Sequence, residues 1–406
     1  MEEARARTLQ LIEPFSDEQL NRAYSSILSP LAWDLGHIAN FEELWLVQTV
    51  GRREPLRGDL ARLYDAIENP RSTRGELPML RGEELRRYLI EVRERTLEVL
   101  DEVDLESAED PLLTGGFVYE LLIAHEHQHN ETMLQLIQMV DGYEPVVIEP
   151  PPDPSSAGPE MVRFEGGEVE IGAALSGFAY DNERPRHTVT LAPFWIDRTP
   201  VNNRAYAEFV ADTGAEPPLY WEPDGAGWWV RTAMGRTEPV DPDLPVVHVS
   251  WHQADACARW AGKRLPTEME WEAAARGADP ERANLDQLAF GCARAGAFAD
   301  APSDCGAVQM LGDVWEWTAS DFIAYPGFRP FPYREYSEVF FGDSYKVLRG
   351  GAWATRRNVI RTSFRNWDFP ERRQIFAGLR CAKDEAIDPP GDGWRTVNRI
   401  GVNAGR

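Results

Sequence analysis

Glu149-Pro-Pro-Pro-Asp-Pro-Ser-Ser-Ala-Gly-Pro159 divides the chain into two stretches of different texture. Proline fixes its own φ and withholds a backbone donor, so this run reads as a semi-rigid linker. The boundary is placed there: a first domain over 1–148, a linker over 149–159 and a second domain over 160–406. Before the linker, apolar residues recur three and four apart over 31–47, 85–103 and 118–140, which is the period of a helix with one buried face. With an opening segment at 5–12 these make about four helices, enough for a bundle, and Gly142 ends the helical pattern. After the linker, strand-like runs at 162–164, 187–191, 194–197 and 345–349 alternate with Gly, Pro and Asn clusters. Helices are expected at 251–261 and at about 267–276, the second opened by Thr267 and Glu270 as a capping box. The second stretch is therefore α+β with much loop, and no internal repeat is visible.

The 406 residues carry 42 Lys and Arg against 67 Asp and Glu, a formal charge of −25. A surface of that sign repels nucleic acid and anionic membranes, so a small-molecule substrate is expected. No window approaches a membrane span, and the acidic start lacks the apolar run of a signal peptide, so a cytoplasmic protein is the expectation, with a monomer as the default. Cys257, Cys292, Cys305 and Cys381 are widely spaced and read as reduced thiols, with a Cys292–Cys305 disulfide as the alternative.

Three of the seven histidines fall in His125-Glu-His-Gln-His129. Residues 125 and 129 are one helical turn apart, so their imidazoles project from one face and can share a metal. His127 lies about 200° around the helix from His125 and cannot join them. His37, in Ser-Pro-Leu-Ala-Trp-Asp-Leu-Gly-His-Ile, belongs to another helix and is pressed toward the bundle core by its apolar flanks. Three neutral nitrogens suit iron, zinc or copper alike, and an open site on them would admit substrate and oxygen together. The alternative is a set of hydrogen-bonded core histidines. Glu126 and Glu131 read as helix-surface charges, and the pentad departs from the H-E-x-x-H order of zinc proteases.

The second stretch contains Arg264-Leu-Pro-Thr-Glu-Met-Glu-Trp-Glu-Ala-Ala-Ala-Arg276, Gly312-Asp-Val-Trp-Glu-Trp-Thr318, Leu348-Arg-Gly-Gly-Ala-Trp353 and Gly378-Leu-Arg-Cys-Ala382. These resemble the formylglycine-generating-enzyme (sulfatase-modifying factor) domain, a C-type-lectin-like fold. The reactive cysteine pair of the formylglycine enzymes is missing, since the corresponding stretch reads Arg361-Thr-Ser-Phe-Arg-Asn-Trp-Asp368. Their thiol chemistry is therefore not expected here, and the fold alone names no reaction.

A DinB-like four-helix bundle bearing H…H-x-x-x-H ahead of such a domain resembles the sulfoxide synthases of ergothioneine biosynthesis, the EgtB family. The resemblance implies iron(II) on His37, His125 and His129, with O2 as co-substrate. It further implies hercynine (N-α-trimethylhistidine) and a thiol as substrates, joined at imidazole C2 with oxidation to the sulfoxide. Residue by residue, it implies Tyr333 as the catalytic phenol, with Tyr325 as a rival, and Gln128 and Tyr336 as hercynine contacts. Asn366 and Trp367 resemble the pair at the carboxylate and trimethylammonium end, where only aromatic and electrostatic contacts can recognise the cation. Arg71, Arg74, Asp368 and Arg372 line up with residues that bind γ-glutamylcysteine, arginine forks suiting its carboxylates and Asp368 its ammonium. Cysteine or a selenosugar remains open as donor, and a non-catalytic ligand-binding module is the reading from another class. His187, His248 and His252 are taken as structural.

Overall fold

The computed structural model describes residues 1–105, 107, 109–154 and 160–385, so the last five residues of the Pro-rich run and the segment 386–406 lie outside the described residues. The helices of the first part are α1 (Glu2–Ile12), the short α2 (Asp17–Asn21), α3 (Leu31–Glu42), α4 (Gly82–Glu102) and α5 (Phe117–Ile137). Their starts follow from local chemistry. Ser16 caps α2 reciprocally with Gln19, Pro30 precedes α3, and Gly116, at φ 71°, turns the chain into α5. α3 packs on α4 and α5, and α1 on α5.

The sequence pattern predicts one regular helix over 31–47, but the structure widens it. From Glu43 to Val50 the turns are of π type, with the Gly51 N–H reaching five residues back to the Leu46 carbonyl at 2.8 Å. Apolar spacing does not distinguish the two pitches. The wider turn presents Leu44, Trp45 and Gln48 to a cavity, a placement in keeping with the frequency of such turns at functional sites.

In the second part β1 (Met161–Phe164), β2 (Gly167–Ile171), β3 (His187–Leu191) and β4 (Phe194–Asp197) precede α6 (Asn203–Thr213). Then come β5 (Trp221–Pro223), β6 (Trp229–Ala233), β7 (Arg236–Pro239), α7 (Trp251–Trp260) and α8 (Glu268–Ala274). The chain continues with β8 (Trp315–Phe322), β9 (Gly342–Arg349), β10 (Asn366–Asp368), β11 (Ala377–Gly378) and β12 (Ala382–Asp384). The strands form small sheets ordered β1-β4-β12, β2-β3, β5-β6-β7 and β10-β9-β8-β11. The capping box expected at Thr267 and Glu270 opens α8. β10 is the edge of the four-stranded sheet, paired antiparallel with β9 through Trp367 opposite Val347.

Charged residues of the sequence motifs turn inward and pair. Glu268 holds Arg365 at 2.8 and 2.9 Å, Glu272 holds Arg349, and Glu316 holds Arg380 at 2.9 Å while accepting the Trp271 indole N–H at 2.6 Å. All three arginines are fully buried. One continuous apolar core runs from Trp33 and Leu121 in the bundle to Trp317 and Phe364 in the sheet part. No helix among the described residues is long and apolar enough to cross a membrane.

Two expectations are corrected. Glu126 is not a surface charge: it is 3% exposed, bound to Arg5 Nε at 2.7 Å and to the Thr8 hydroxyl at 2.8 Å, with Arg93 beyond at 3.4 Å. Glu131 is also buried, and it joins the two parts by accepting the Trp315 indole N–H at 2.6 Å and the Thr355 hydroxyl at 2.7 Å. Both were misread because a helix packed on several sides has no solvent face to which its acids can be assigned. The four cysteines are free thiols, with no disulfide between Cys292 and Cys305.

Candidate metal centre

α3 delivers His37, and α5 delivers His125 and His129 from consecutive turns. One ligand atom of each ring lies within 4.8 Å of the others, and this is the single group of such donors among the described residues. Gly36 makes the approach possible. A Cβ there would sit 2.1 Å from the Tyr64 ring, so only glycine lets Tyr64 press against α3, where its carbonyl accepts the His37 Nδ1–H at 2.7 Å. Asp34, one turn before His37, is buried and takes the Nδ1–H of His129 at 3.2 Å. These partners fix the tautomers and leave both Nε2 atoms as acceptors, the arrangement that orients metal-ligating imidazoles. Trp33 stacks on His37 at 4.9 Å and Phe41 on His125 at 4.0 Å, so two of the rings are held by packing as well.

The donor set fits a cation. Burial pushes His37 and His125 well below the usual imidazole pKa, and each also feels the neighbouring His129, so both rings are neutral. Their Nε2 atoms nevertheless face each other at 3.2 Å. At that separation a neutral His125 can donate its Nε2–H to His37 in the absence of an ion, and two lone pairs can converge on one cation when His125 carries its proton on Nδ1. His127 stands apart, buried with neither ring nitrogen hydrogen-bonded, as its position around the helix requires.

The trio opens onto a cavity of about 1000 Å³ at the meeting of bundle and sheets. The other expected site residues line it, Tyr325 excepted: Arg71, Arg74, Gln128, Tyr333, Tyr336, Asn366, Trp367, Asp368 and Arg372. Tyr333 packs on Trp45 at 5.3 Å and on Phe41 at 6.0 Å, one aromatic ring away from His125. Burial raises its phenol pKa, so it is protonated at any working pH. Tyr325 does not line the cavity; it is buried beside Val169 and Ala273, under the Arg365 guanidinium at 4.1 Å. Tyr336 meets Trp367 edge-on at 5.9 Å, and Trp367 is backed by Phe322 at 4.2 Å.

Next to Trp367 on the strand, Asp368 lies 3.4 Å from Arg372, and its carboxyl is raised by burial and drawn back down by Arg372 and Arg71. Arg74 borders the cavity differently. It donates to Ser29, to the Asn69 carbonyl and to the Ala66 carbonyl, and lies 3.6 Å over Trp33, so much of its fork is occupied by the protein itself. His187, His248 and His252 take no part in the donor group. Asp34, Tyr64 and Phe41 were missed at the sequence level. Only Asp34 left a trace there, as an acid one turn before His37.

Comparison with known proteins agrees with both halves. Residues 1–133 match the DinB superfamily, and residues 147–385 match the sulfatase-modifying factor enzyme 1-like domain. The chain is 41% identical to a hercynine oxygenase of Mycolicibacterium thermoresistibile, covering 94% of this chain and 93% of that protein. It is 42% identical to the hercynine oxygenase of Mycolicibacterium smegmatis, covering 94% and 97%. A formylglycine-generating enzyme of Streptomyces coelicolor is 34% identical, over 55% of this chain and 89% of its own length. The fold is thus a DinB-like helical part followed by a formylglycine-generating-enzyme-like part. Similarity along nearly the whole length, across both parts and the cavity between them, makes this chain an enzyme of the hercynine oxygenase family.

Proposed function

We propose that this enzyme uses O2 to join the sulfur of a thiol to imidazole C2 of hercynine, giving the sulfoxide, with iron(II) held by His37, His125 and His129 and γ-glutamylcysteine as the donor. One S–H and one C–H bond are lost, a C–S and an S–O bond form, and the second oxygen atom leaves as water. The observation that carries the reading is the convergence, on one cavity, of three imidazoles, an aromatic and amide group, and a carboxylate with arginines beside it. Bound iron would supply the one-electron chemistry that lets O2 react with a thiol, which closed-shell side chains lack.

The chain's own residues bind, orient and move protons. Gln128 and Tyr336 present polar groups to the imidazole, and Trp367 with Asn366 receives the trimethylammonium and carboxylate end. Arg71 and Arg372 pair with donor carboxylates, and Asp368 with the donor ammonium. Holding both reactants in one cavity supplies the proximity term. Tyr333 donates a proton as the new bond forms and steers the outcome away from simple thiol oxidation.

The test is reconstitution with iron(II) without oxygen, addition of hercynine with γ-glutamylcysteine, cysteine or a selenosugar, then admission of O2 and mass spectrometry of the products. The hercynyl γ-glutamylcysteine sulfoxide is expected to dominate. Preference for another donor would overturn the donor assignment, and no C–S product with any of them would overturn the reaction.

A further inference from the structure

Several buried glutamates in this fold are held by an arginine: Glu183 by Arg361, Glu268 by Arg365, Glu272 by Arg349 and Glu316 by Arg380. Glu131 is not. It is 8% exposed, and its oxygens accept from neutral groups, Oε1 from the Trp315 indole at 2.6 Å and Oε2 from the Thr355 hydroxyl at 2.7 Å. Thr355 itself accepts the Ala352 N–H at 2.9 Å, so its own proton is turned to Glu131, and an indole N–H can only donate. Both oxygens are thus acceptors, as a carboxylate requires, and no cationic side chain among the described residues lies against them. Glu43, Asp181 and Asp313 are also buried without an arginine partner, but none of the three lines the cavity. Glu131 does, and so do the rings of Trp315, Phe364 and Trp367.

A carboxylate taken out of water costs free energy unless a positive charge comes near it. The protein supplies none, and the open side of the group is the substrate cavity. The aromatic wall beside it has Trp315 and Phe364 at 5.8 Å from each other, and aromatic faces attract a cation that has no N–H to donate. The spacing along the helix agrees. Glu131 follows Gln128 by three residues, so the two side chains share a face of α5, about 4.5 Å apart along its axis. Gln128 is the proposed imidazole contact, and in hercynine the trimethylammonium stands two carbons from the ring, a reach of the same order. Asn366 spends its carbonyl on the Trp367 N–H at 2.9 Å, which leaves its NH2 to meet a carboxylate.

We infer that Glu131 is a specificity-determining residue that holds the quaternary ammonium of the substrate by charge, with Trp315, Phe364 and Trp367 as the surrounding rings. The inference rests on the proposed imidazole substrate and gives its cation a partner. Glu131 then has two tasks, tying the two parts of the molecule and reading the charge of the ligand. Glu131→Gln separates them, because the amide carbonyl still accepts from Trp315 and the NH2 can donate to Thr355 Oγ1.

The test is calorimetric binding, to the iron(II)-loaded protein without oxygen, of hercynine and of its carbon isostere, in which C(CH3)3 replaces N(CH3)3+. The two ligands share a shape and differ in charge. The parent is expected to prefer hercynine by about tenfold or more, and Glu131→Gln to lose most of that preference. Equal weakening of both ligands in the variant would show a structural role alone, and an unchanged preference would show that Glu131 does not read the charge. Either result overturns the inference. Should Glu131→Gln not fold, the parent decides: a preference of about tenfold or more supports the inference, and any smaller one overturns it. Because binding is read without turnover, a parent protein that binds hercynine but forms no C–S product refutes the proposed reaction and leaves this inference standing. A parent that does not bind hercynine refutes both.

Discussion

At the scale of single residues, the site separates groups that meet a substrate from groups that hold other groups. Asp34 and the Tyr64 carbonyl never reach the cavity chemistry directly, but they decide which nitrogen His129 and His37 turn inward. Tyr333 lines the cavity, and in the proposed reaction it belongs to the first kind. Its phenol is neutral through burial and stands across Phe41 from His125, so it can give a proton without first having to gain one. Tyr333→Phe keeps the packing on Trp45 and removes only the hydroxyl. The expected outcome is a product ratio shifted toward oxidised thiol at the expense of the C–S product, by about tenfold or more, as befits a general acid. Product analysis at equal O2 consumption measures it, and unchanged partitioning would remove the role.

Among elements, α1, α3, α4 and α5 are pinned by a buried charge network rather than by apolar contact alone. Arg5 from α1 bridges Glu42 on α3 at 2.9 Å and Glu126 on α5 at 2.7 Å, while Arg93 from α4 reaches the same two acids. Glu126 is the neighbour of His125, so the network sets the rotation of α5 and with it the direction of the ligands. Arg5→Ala leaves two buried carboxylates with one cation, a loss expected to cost about 3–5 kcal/mol in unfolding free energy. Denaturant unfolding measures it. A change below about 1 kcal/mol would mean that Arg93 suffices. The helices themselves were legible from apolar spacing, because that spacing reports a buried face. The network was not, because an acid that pairs across helices looks in sequence like one that faces water.

For the whole molecule, the acid limb of stability should carry the signature of buried neutral histidine. His248 donates from Nδ1 to the Arg373 carbonyl at 3.2 Å, and burial holds its pKa down at about 3 against 6.5 for a free ring. His127 is lowered to about 3 for the same first reason. Between those values the unfolded chain binds protons that the folded protein does not, so stability is lost as pH falls. Each ring contributes up to about 1.4 kcal/mol per pH unit in that window. His248→Asn, which suits the left-handed backbone at φ 66°, is expected to flatten the slope between pH 6.5 and the acid transition. Urea unfolding across pH 7 to 4 measures it, and an unchanged slope would show that His248 does not set the limb.

What the sequence determined by itself is what local chemistry can specify. Helical period located the bundle, strand-like runs and a capping box marked the elements of the second part, and the 125/129 spacing placed two imidazoles on one face. The site residues named from motifs that resemble a known family lie around the cavity, Tyr325 excepted, because those motifs carry the chemistry-bearing side chains. Tertiary structure alone decided which of them meet. It brought His37 across 88 residues to within 3.2 Å of His125, set Tyr333 on the cavity and Tyr325 away from it, and turned Glu131 into a tie between the two parts. Contacts between residues far apart in the chain depend on how whole elements pack, and packing is a property of volumes and partners that no local spacing encodes.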